Sequence, residues 1–237
     1  MHYAAKGGDV KIFSNLISNK IDICRKTNDQ MNILHIASKY GNAQICEIIF
    51  RRPEFTNSLC DVSSEGKNAC HYAAEGGSVV LLKMLIDKGI DPSVTTDDKK
   101  NIFHIACIYN NLNMCEFIAE KYSSLANAED EDKWNAVMFA AKNGHTEILH
   151  FLKRFRASFT HASESARNAL HIACDNGQFE ACKFIVWNYP SLLKEVDYKK
   201  RHAAHFAVRS GNMDTLTYLE TKMDVTECTE TGMNILH

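Results

Sequence analysis

Residues 168–178 read NALHIACDNGQ, which places small apolar residues between an asparagine and a glycine. Residues 32–42, 68–78, 101–111, 135–145 and 202–212 repeat that pattern as NILHIASKYGN, NACHYAAEGGS, NIFHIACIYNN, NAVMFAAKNGH and HAAHFAVRSGN. Partial copies stand at both ends, MHYAAKGGD from residue 1 and NILH up to residue 237. Self-similarity of this kind predicts a stack of supersecondary units, each too small to bury its apolar face alone.

One position, which we call the anchor, sets the register of these copies. The anchors lie at residues 2, 35, 71, 104, 138, 171, 205 and 237, and all are histidine except Met138. The intervals between them are 33, 36, 33, 34, 33, 34 and 32 residues. Residues 1–237 are therefore predicted to form a single array of six complete repeats, with a partial repeat at each end. Because neither end carries the polar capping repeat that such stacks need, we expect a segment of a longer array.

Each copy predicts two short helices. The first begins near the anchor, and six residues after the anchor comes a residue that favours left-handed backbone just past a helix. These stop residues are Gly8, Gly41, Gly77, Asn110, Gly144, Gly177 and Gly211. A second amphipathic segment follows, for example VVLLKMLI or EACKFIVW. Since helices this short are unstable alone, stacking between units must stabilise them.

At these residues the chain resembles the ankyrin repeat family, whose repeat carries the signature T-P-L-H-x-A-A…G. The resemblance covers essentially the whole chain and implies an all-α ankyrin-repeat solenoid of stacked helix-turn-helix units with short hairpin loops. Asparagine replaces the signature threonine in every copy except the one with His202, and is expected to cap the first helix. The turn glycine two residues earlier survives only at Gly66 and Gly232. Different hairpin tips are therefore expected where Gln30, Lys99, Lys133, Ala166 and Lys200 replace it.

The repeats alternate in length. Those that begin at anchors 35, 104 and 171 have 36, 34 and 34 residues, whereas those at 2, 71, 138 and 205 have 33, 33, 33 and 32. The longer repeats also share a cysteine eleven residues after the anchor and a similar exit, such as RRPEFTNSLCDVS. This pattern indicates a duplicated two-repeat unit of roughly 67 residues. The loops after the second helices should therefore differ alternately.

The recurring histidines invite a metal-binding or catalytic interpretation, which the repeat geometry disfavours. Equivalent positions in neighbouring repeats lie about 10 Å apart, too far to share an ion. We assign a structural role to His35, His71, His104, His171 and His205, and the resemblance implies that they hydrogen-bond to backbone near the hairpins. The chain has no nucleophile elbow, phosphate-binding loop, zinc spacing or paired-carboxylate motif. We therefore assign no catalytic, metal-binding or cofactor-binding residue.

Composition narrows the setting and the partners. The formal net charge of −2 favours neither nucleic acid nor an anionic membrane, and no apolar run approaches the roughly 20 residues of a spanning helix. The nine cysteines are odd in number and form no C-x-x-C pair. Several occupy positions that are small and apolar in sister repeats, so they are predicted to be buried, reduced side chains. We expect a monomer in a reducing, cytoplasmic setting.

Candidate binding residues are those that vary while the scaffold stays constant. In ankyrin-like stacks the hairpin tips and the outward side of the first helix form a concave surface, and here acidic residues alternate with basic or apolar ones at the tips. The simplest interpretation of these rows is solvated, mutually screened charge. Aromatic and arginine side chains dominate interface hot spots. The candidate partner-binding residues are Trp134, Tyr109, Ile108, Tyr40, Tyr198, Lys100, Arg167 and Arg201, with packing against adjacent hairpins as the alternative.

These observations favour a non-enzymatic module that binds a protein or peptide along its concave face. The alternative is an architectural spacer or spring within a larger ankyrin-containing channel or cytoskeletal adaptor. Partner binding predicts a contiguous exposed apolar patch around Trp134 and Tyr109, whereas a spacer predicts an evenly polar concave face. No residue pattern supports an enzyme.

Overall fold

The structure, a computed structural model, describes residues 1–224, and these residues form helices without any β-strand. They belong to two compact units, residues 1–126 and the residues from 127 onward. The predicted all-α ankyrin-repeat fold is confirmed. The anchor at 237, the capping Asn234 and the turn residue Gly232 lie outside the described residues. A single array over residues 1–237 stays a prediction.

The first unit contains four pairs of α-helices and one short extra α-helix among its residues. They are α1 (His2–Gly7), α2 (Val10–Ser18), α3 (Ile33–Lys39), α4 (Ala43–Phe50), α5 (Ala69–Gly76), α6 (Val79–Asp87), α7 (Ile102–Ile108), α8 (Leu112–Lys121) and α9 (Ser123–Ala126). The first helices of successive repeats pack side by side, α1 on α3, α3 on α5 and α5 on α7. Among the second helices, α2 packs on α4 and α6 on α8.

The second unit repeats this arrangement with three helix pairs in its described part. They are α10 (Ala136–Lys142), α11 (Thr146–Arg154), α12 (Ala169–Asp175), α13 (Phe179–Asn188), α14 (Ala203–Ser210) and α15 (Met213–Glu220). The first helices pack in the order α10, α12, α14, and the second helices in the order α11, α13, α15. Small residues at the first-helix contact, such as Ala140, Ala173 and Ala207, are fully buried and allow close approach.

The predicted asparagine caps are confirmed and make a second bond. In α7, Oδ1 of Asn101 accepts hydrogen bonds from the backbone N–H groups of Phe103 (2.9 Å) and His104 (3.0 Å). Its Nδ2 donates to the carbonyl oxygen of Leu125, 2.8 Å away at the exit of the same repeat. The same 2.8 Å donation joins Asn32 to Ser58, Asn68 to Asp91 and Asn135 to Ser158. Threonine has no amide to donate, which gives asparagine a physical advantage at this position.

The predicted stops at the ends of the first helices are also confirmed. Each stop residue has a positive φ between 60° and 76°, in the left-handed region that glycine adopts without strain. Asn110 is the one non-glycine among them, with φ at 60°. A short polar residue of this kind tolerates that conformation better than most.

The expectation that hairpin tips without glycine would adopt a different turn is wrong. Gln30, Lys99, Lys133, Ala166 and Lys200 all have φ between 54° and 61°, close to the 74° of Gly66. Two backbone hydrogen bonds close each tip; at Lys99, for example, its N–H donates to Thr96 (2.9 Å) and the N–H of Thr96 donates to Lys100 (2.9 Å). Because these bonds fix the turn, the left-handed conformation persists at a strain of about 1 kcal/mol per residue.

The predicted alternation of exits is confirmed in the described residues. In the longer repeats an extra helical turn follows the second helix, as the 3-10 helices Pro53–Ser58 and Pro190–Lys194 and as α9. In the shorter repeats the chain instead reverses through a left-handed residue, at Lys20, Gly89 and Arg156. The longer repeats, with 34 or 36 residues against 32 or 33, therefore build an additional turn of helix.

The cysteines in repeat register are buried, as predicted. Cys46, Cys70, Cys107, Cys115, Cys174 and Cys182 have no exposed surface. Within their repeats, the Sγ atoms of Cys107 and Cys115 lie 3.6 Å apart and those of Cys174 and Cys182 lie 3.4 Å apart, as free thiols. Burial raises the pKa of the Cys46 and Cys70 thiols to about 12, so both stay protonated at neutral pH.

Candidate functional site

At two anchors, His35 and His171, both ring nitrogens make hydrogen bonds to the backbone. In the repeat at anchor 35, the backbone N–H of Asn32 donates to Nδ1 of His35 over 3.2 Å, and Nε2 lies 3.0 Å from the carbonyl oxygen of Asp61. Since Nδ1 accepts, the ring is neutral with its proton on Nε2. The ring therefore ties the helix start to the loop that leads into the next repeat.

The other anchors share the first of these contacts. The backbone N–H three residues earlier donates to Nδ1 over 3.2–3.3 Å at His71, His104, His171 and His205. Burial lowers the pKa of His35, His71 and His171 to about 4, so these rings are neutral at pH 7. Each neutral ring accepts from the backbone at the start of its helix, and at His35 and His171 it also contacts a carbonyl oxygen of the following loop, so these side chains act as braces within the repeats.

Three of the candidate binding residues lie together in the first unit. Lys100, Ile108 and Tyr109 line one groove of about 490 Å³, which we call the Tyr109 groove. Its remaining lining residues come from the adjacent hairpin tips and from α7, namely Ser64, Glu65, Lys67, Thr96, Asp97, Asp98 and Ile105. The tyrosine is 45% exposed, so a large aromatic surface stands open at this groove. Hairpin tips and a first helix therefore form one concave site.

Charged pairs edge the Tyr109 groove. Nζ of Lys67 lies 2.6 Å from a carboxylate oxygen of Glu65, and Lys100 pairs in the same way with Asp98. Hydrogen bonds from Thr96 and Lys100 hold the pKa of Asp98 below its usual range in spite of its partial burial. The groove therefore carries three carboxylates and two ammonium groups, a net negative charge.

The buried carboxylate of Glu75 interacts with Tyr109 of this groove and with Lys39. Lys39 lines a neighbouring groove together with another candidate residue, Tyr40. Glu75 on α5 lies 2.6 Å from Nζ of Lys39, and its side chain is only 6% exposed. Burial, together with the negative charge of Glu75, raises the pKa of Tyr109. Tyr40 is 46% exposed and lines a neighbouring groove of about 330 Å³, where Nζ of Lys6 lies 5.2 Å from its ring centroid.

Trp134, in the second unit, is less exposed than its place at a hairpin tip suggested. Its ring is half-buried, with the centroid 5.4 Å from that of Phe139 and 5.6 Å from Nζ of Lys142. The same tip position packs over the residue after the anchor elsewhere, with Lys67 over Tyr72 (6.0 Å) and Arg201 over Phe206 (4.7 Å). The alternative interpretation of this tryptophan as a packing residue therefore accounts for most of its surface.

Arg167 and Arg201 lie together in the second unit, on the ring of buried Phe206. Their guanidinium carbons are 4.8 and 4.7 Å from its centroid, and that of Arg209 is at 5.2 Å. Asp197 accepts bonds from Arg201 at 2.6 and 2.9 Å, and Asp175 accepts from Arg209 at 2.7 Å and lies 3.7 Å from Arg167. These carboxylates neutralise most of the charge.

Two aromatic residues stand far into solvent in the second unit. Tyr198, a candidate from the sequence, is 73% exposed at a hairpin tip. Trp187, which the sequence analysis did not single out, is 84% exposed on the second helix α13. The sequence does contain a sign of this exposure. Charged residues, Arg51 and Glu120, occupy the equivalent position sixteen residues after the anchor in the other longer repeats, which indicates that the position faces solvent.

Two other kinds of site are absent from the part of the chain that the structure describes. Among residues 1–224, no group of three or more His, Cys, Asp or Glu side chains lies close enough to hold a metal ion. No helix in this range combines the length and apolar character required to cross a bilayer.

Comparison with known proteins identifies the class. A family model described as "Ankyrin repeats (3 copies)" matches residues 1–96, 52–127, 77–159 and 103–195 in overlapping copies. The chain belongs to the ankyrin-repeat family, whose members generally mediate protein–protein interaction. Three of the matched ranges run across residue 126, so the sequence pattern continues through the boundary of the two units.

Individual relatives are distant and much longer. The chain is 25% identical over 227 residues to human transient receptor potential cation channel subfamily A member 1, covering 93% of this chain and 20% of the channel subunit. It is 23% identical over 160 residues to human SH3 and multiple ankyrin repeat domains protein 2, covering 67% of this chain and 8% of that protein. It is 24% identical over 199 residues to palmitoyltransferase AKR1 of Lachancea kluyveri, covering 79% of this chain and 26% of that protein. The chain thus spans about a quarter or less of each.

Proposed function

We propose that this chain is a non-enzymatic protein-interaction module that binds a protein or peptide segment in the Tyr109 groove. The observation that carries the proposal is the convergence of Lys100, Ile108 and Tyr109 on one open groove between hairpin tips and a first helix. Membership of a family of interaction modules supports the class of function. The groove supports the location, because exposed aromatic surface beside fixed polar groups is typical of interface hot spots.

The groove favours a partner segment with one apolar side chain beside a basic one. Ile105, Ile108 and the Tyr109 ring provide the apolar surface for the first. Both lysines of the groove pair with carboxylates, whereas Asp97 has no ion pair within 4.0 Å among residues 1–224. A lysine or arginine of the partner would therefore find an available carboxylate at Asp97.

A selection experiment tests this proposal. A randomised peptide library displayed on phage is selected on the full chain, and recovered peptides are labelled and titrated by fluorescence anisotropy. We expect the double variant Ile108→Ala/Tyr109→Ala to weaken binding by about tenfold or more, as truncation of hot-spot side chains does. We also expect Asp97→Asn to weaken peptides that carry a basic residue.

The matched control is Val80→Ala on α6. Val80 is a large apolar side chain of the same unit, 70% exposed, on a second helix. Its truncation should leave peptide affinity unchanged, and the circular dichroism of all variants should match that of the parent chain. The proposed site would be overturned if no peptide is recovered. It would also be overturned if the recovered peptides bind the Ile108→Ala/Tyr109→Ala variant as tightly as the parent chain.

A second candidate function is an architectural spacer within a larger protein. The observation that favours it is the match to a cation channel subunit over 93% of this chain. A spacer would give no peptide that depends on the concave residues, so the same selection distinguishes the two. Other expectations stay predictions: the monomeric state, the lack of nucleic-acid binding, and the reducing cytoplasmic setting.

A further inference from the structure

The second helices of the second unit, α11, α13 and α15, form a groove. The anchors belong to the first helices, so this groove is built from the other helix of each repeat. We call it the Trp187 groove; its volume is about 660 Å³. Its lining includes Lys153 of α11, Lys183, Phe184 and Trp187 of α13, Tyr218 of α15 and Lys222 just after it. We propose that this groove is a second interaction surface, which binds an acidic protein segment that carries an aromatic or aliphatic side chain.

The apolar part of the surface rests on stacked aromatic rings. Phe184 packs against His150 with ring centroids 4.4 Å apart, and Tyr218 meets Phe179 edge-on at 6.1 Å. Trp187 stands beside them with 84% of its surface exposed. An indole left in water on a helix is the type of side chain that anchors interfaces, because a partner that covers it gains a large apolar area.

The charge of the groove selects the partner. Its lining contains three lysines and a single carboxylate, Glu180, which lies 3.2 Å from Lys183. In residues 1–224 no carboxylate lies within 4.0 Å of Lys153 or Lys222. Lys222 instead lies over the Tyr218 ring at 5.6 Å. Two ammonium groups beside exposed aromatic surface complement a segment of negative charge.

Sister repeats in the same register lack this combination. The positions of Lys183 and Trp187, twelve and sixteen residues after the anchor, are Glu116 and Glu120 in α8. In the repeat that contains α4 they are Glu47 and Arg51. Since all three helices share the cysteine that faces the core, the fold does not require lysine and tryptophan here. The departure is confined to the outward side of α13.

The size of the site suits a short extended segment. Three neighbouring helices at spacings of about 10 Å give a span of about 20 Å, which about six extended residues cover. Acidic side chains at both ends would meet Lys153 and Lys222, and an apolar side chain between them would meet Trp187.

The test uses the full chain with the substitution Trp134→Phe. The chain has two tryptophans, so Trp187 is then the one that remains. The probe is a short blocked peptide in which Phe and Leu are separated by Asp and Glu, together with a counterpart that carries Asn and Gln. We expect the acidic peptide to shift the emission of Trp187 to the blue and to protect it from acrylamide. The amide counterpart should do neither, and added salt should weaken the effect.

One variant replaces Lys183 and Trp187 of α13 by glutamate, the residue found at both equivalent positions of α8. Lys183→Glu/Trp187→Glu, and separately Lys222→Glu, should weaken binding of the labelled acidic peptide about tenfold or more by anisotropy. The matched control is Lys83→Glu, the exposed lysine twelve residues after anchor 71 on α6, which makes the same charge change as Lys222→Glu but outside the groove. Ile108→Ala/Tyr109→Ala is a second control, since it removes only the site proposed above.

Three results would overturn the inference. The first is no binding of the acidic peptide to the parent chain. The second is an equal loss in Lys83→Glu, which would indicate attraction by overall charge. The third is binding of phosphatidylserine vesicles, lost on Lys183→Glu, without binding of the peptide; that would assign the surface to a membrane.

Discussion

The backbone N–H of Asn168 donates a hydrogen bond to Nδ1 of His171 over 3.2 Å, while Nε2 of the same ring lies 3.1 Å from the carbonyl oxygen of Glu195. The ring can make both contacts only when it is neutral, with its proton on Nε2. A second proton on Nδ1 would remove the acceptor that Asn168 uses. The brace is therefore sensitive to pH.

Stability should fall between neutral pH and pH 4. Burial lowers the pKa of His35, His71 and His171 from 6.5 to about 4, so below pH 6.5 the unfolded chain binds more protons than the folded one. The stabilisation is complete above the unfolded pKa and is lost as pH falls toward the folded pKa. At about pH 5.5 we expect a loss of about 1 kcal/mol per histidine, measured by urea unfolding.

The control for this prediction comes from the chain itself. Met138 occupies the anchor of one repeat, so His171→Met copies a residue that the array already tolerates. The variant should lose about one third of the change in unfolding free energy between about pH 7.5 and pH 5.5. An unchanged pH dependence would contradict the assignment. Asp98 and Asp197 have pKa values below 3.8, so their titration lies beneath this window.

The double role of Asn101 predicts an order of stabilities. Asn101→Ala removes the cap and leaves the Leu125 carbonyl without its donor, for an expected loss of about 2–3 kcal/mol. Asn101→Thr, the residue of the family signature, keeps a capping oxygen and should fall between alanine and asparagine. Urea unfolding followed by circular dichroism measures both, with exposed Asn113→Ala as the control. Equal stability of the threonine variant would mean that the bond to Leu125 contributes nothing.

Two turn residues should respond to substitution with opposite sign. Ala166 has φ at 58°, so Ala166→Gly relieves strain and should stabilise the chain by up to about 1 kcal/mol. Gly66 has φ at 74°, and a Cβ added there would lie 2.8 Å from the backbone nitrogen of Asp97. Gly66→Ala should therefore destabilise by more than about 1 kcal/mol. Thermal unfolding compares them, and a stabilising Gly66→Ala would refute the close approach of these tips.

The packing of Trp134 over Phe139 predicts that its apolar contact matters to stability. Trp134→Ala should lower the unfolding free energy by about 1–2 kcal/mol, since the side chain is half-buried. Trp134→Lys reproduces the arrangement of Lys67 over Tyr72 and should lose less. If alanine has no effect, the ring is a free surface group and its candidacy as a binding residue strengthens.

Much of the fold was predictable because it depends on local rules repeated many times. An asparagine before an apolar run and a glycine six residues after the anchor specify where each first helix begins and ends, and the structure agrees at each described stop. The difference in length between longer and shorter repeats predicted different exits, and the structure has an extra helical turn at the exit of each longer repeat. A repeat averages such weak signals over many copies.

The turns and the candidate sites were less predictable. The hairpin tips keep one conformation with or without glycine, because hydrogen bonds from neighbouring residues outweigh the strain at lysine, glutamine or alanine. The exposure of Trp134 was overestimated, because whether a tip residue faces solvent depends on the side chain beneath it. Trp187 was overlooked, because one more apolar residue in an amphipathic helix looks like core until its side of the helix is known.

The sequence by itself determined the repeat, its register, the helix boundaries and the family, since each depends on residues close along the chain. Tertiary structure decided which side chains meet, because residues about 33 positions apart become neighbours only when repeats stack. Lys67 and Tyr109 come from different repeats and line one groove, as do Lys153 and Trp187 in another. Those groupings depend on side-chain direction and packing, which no single repeat encodes.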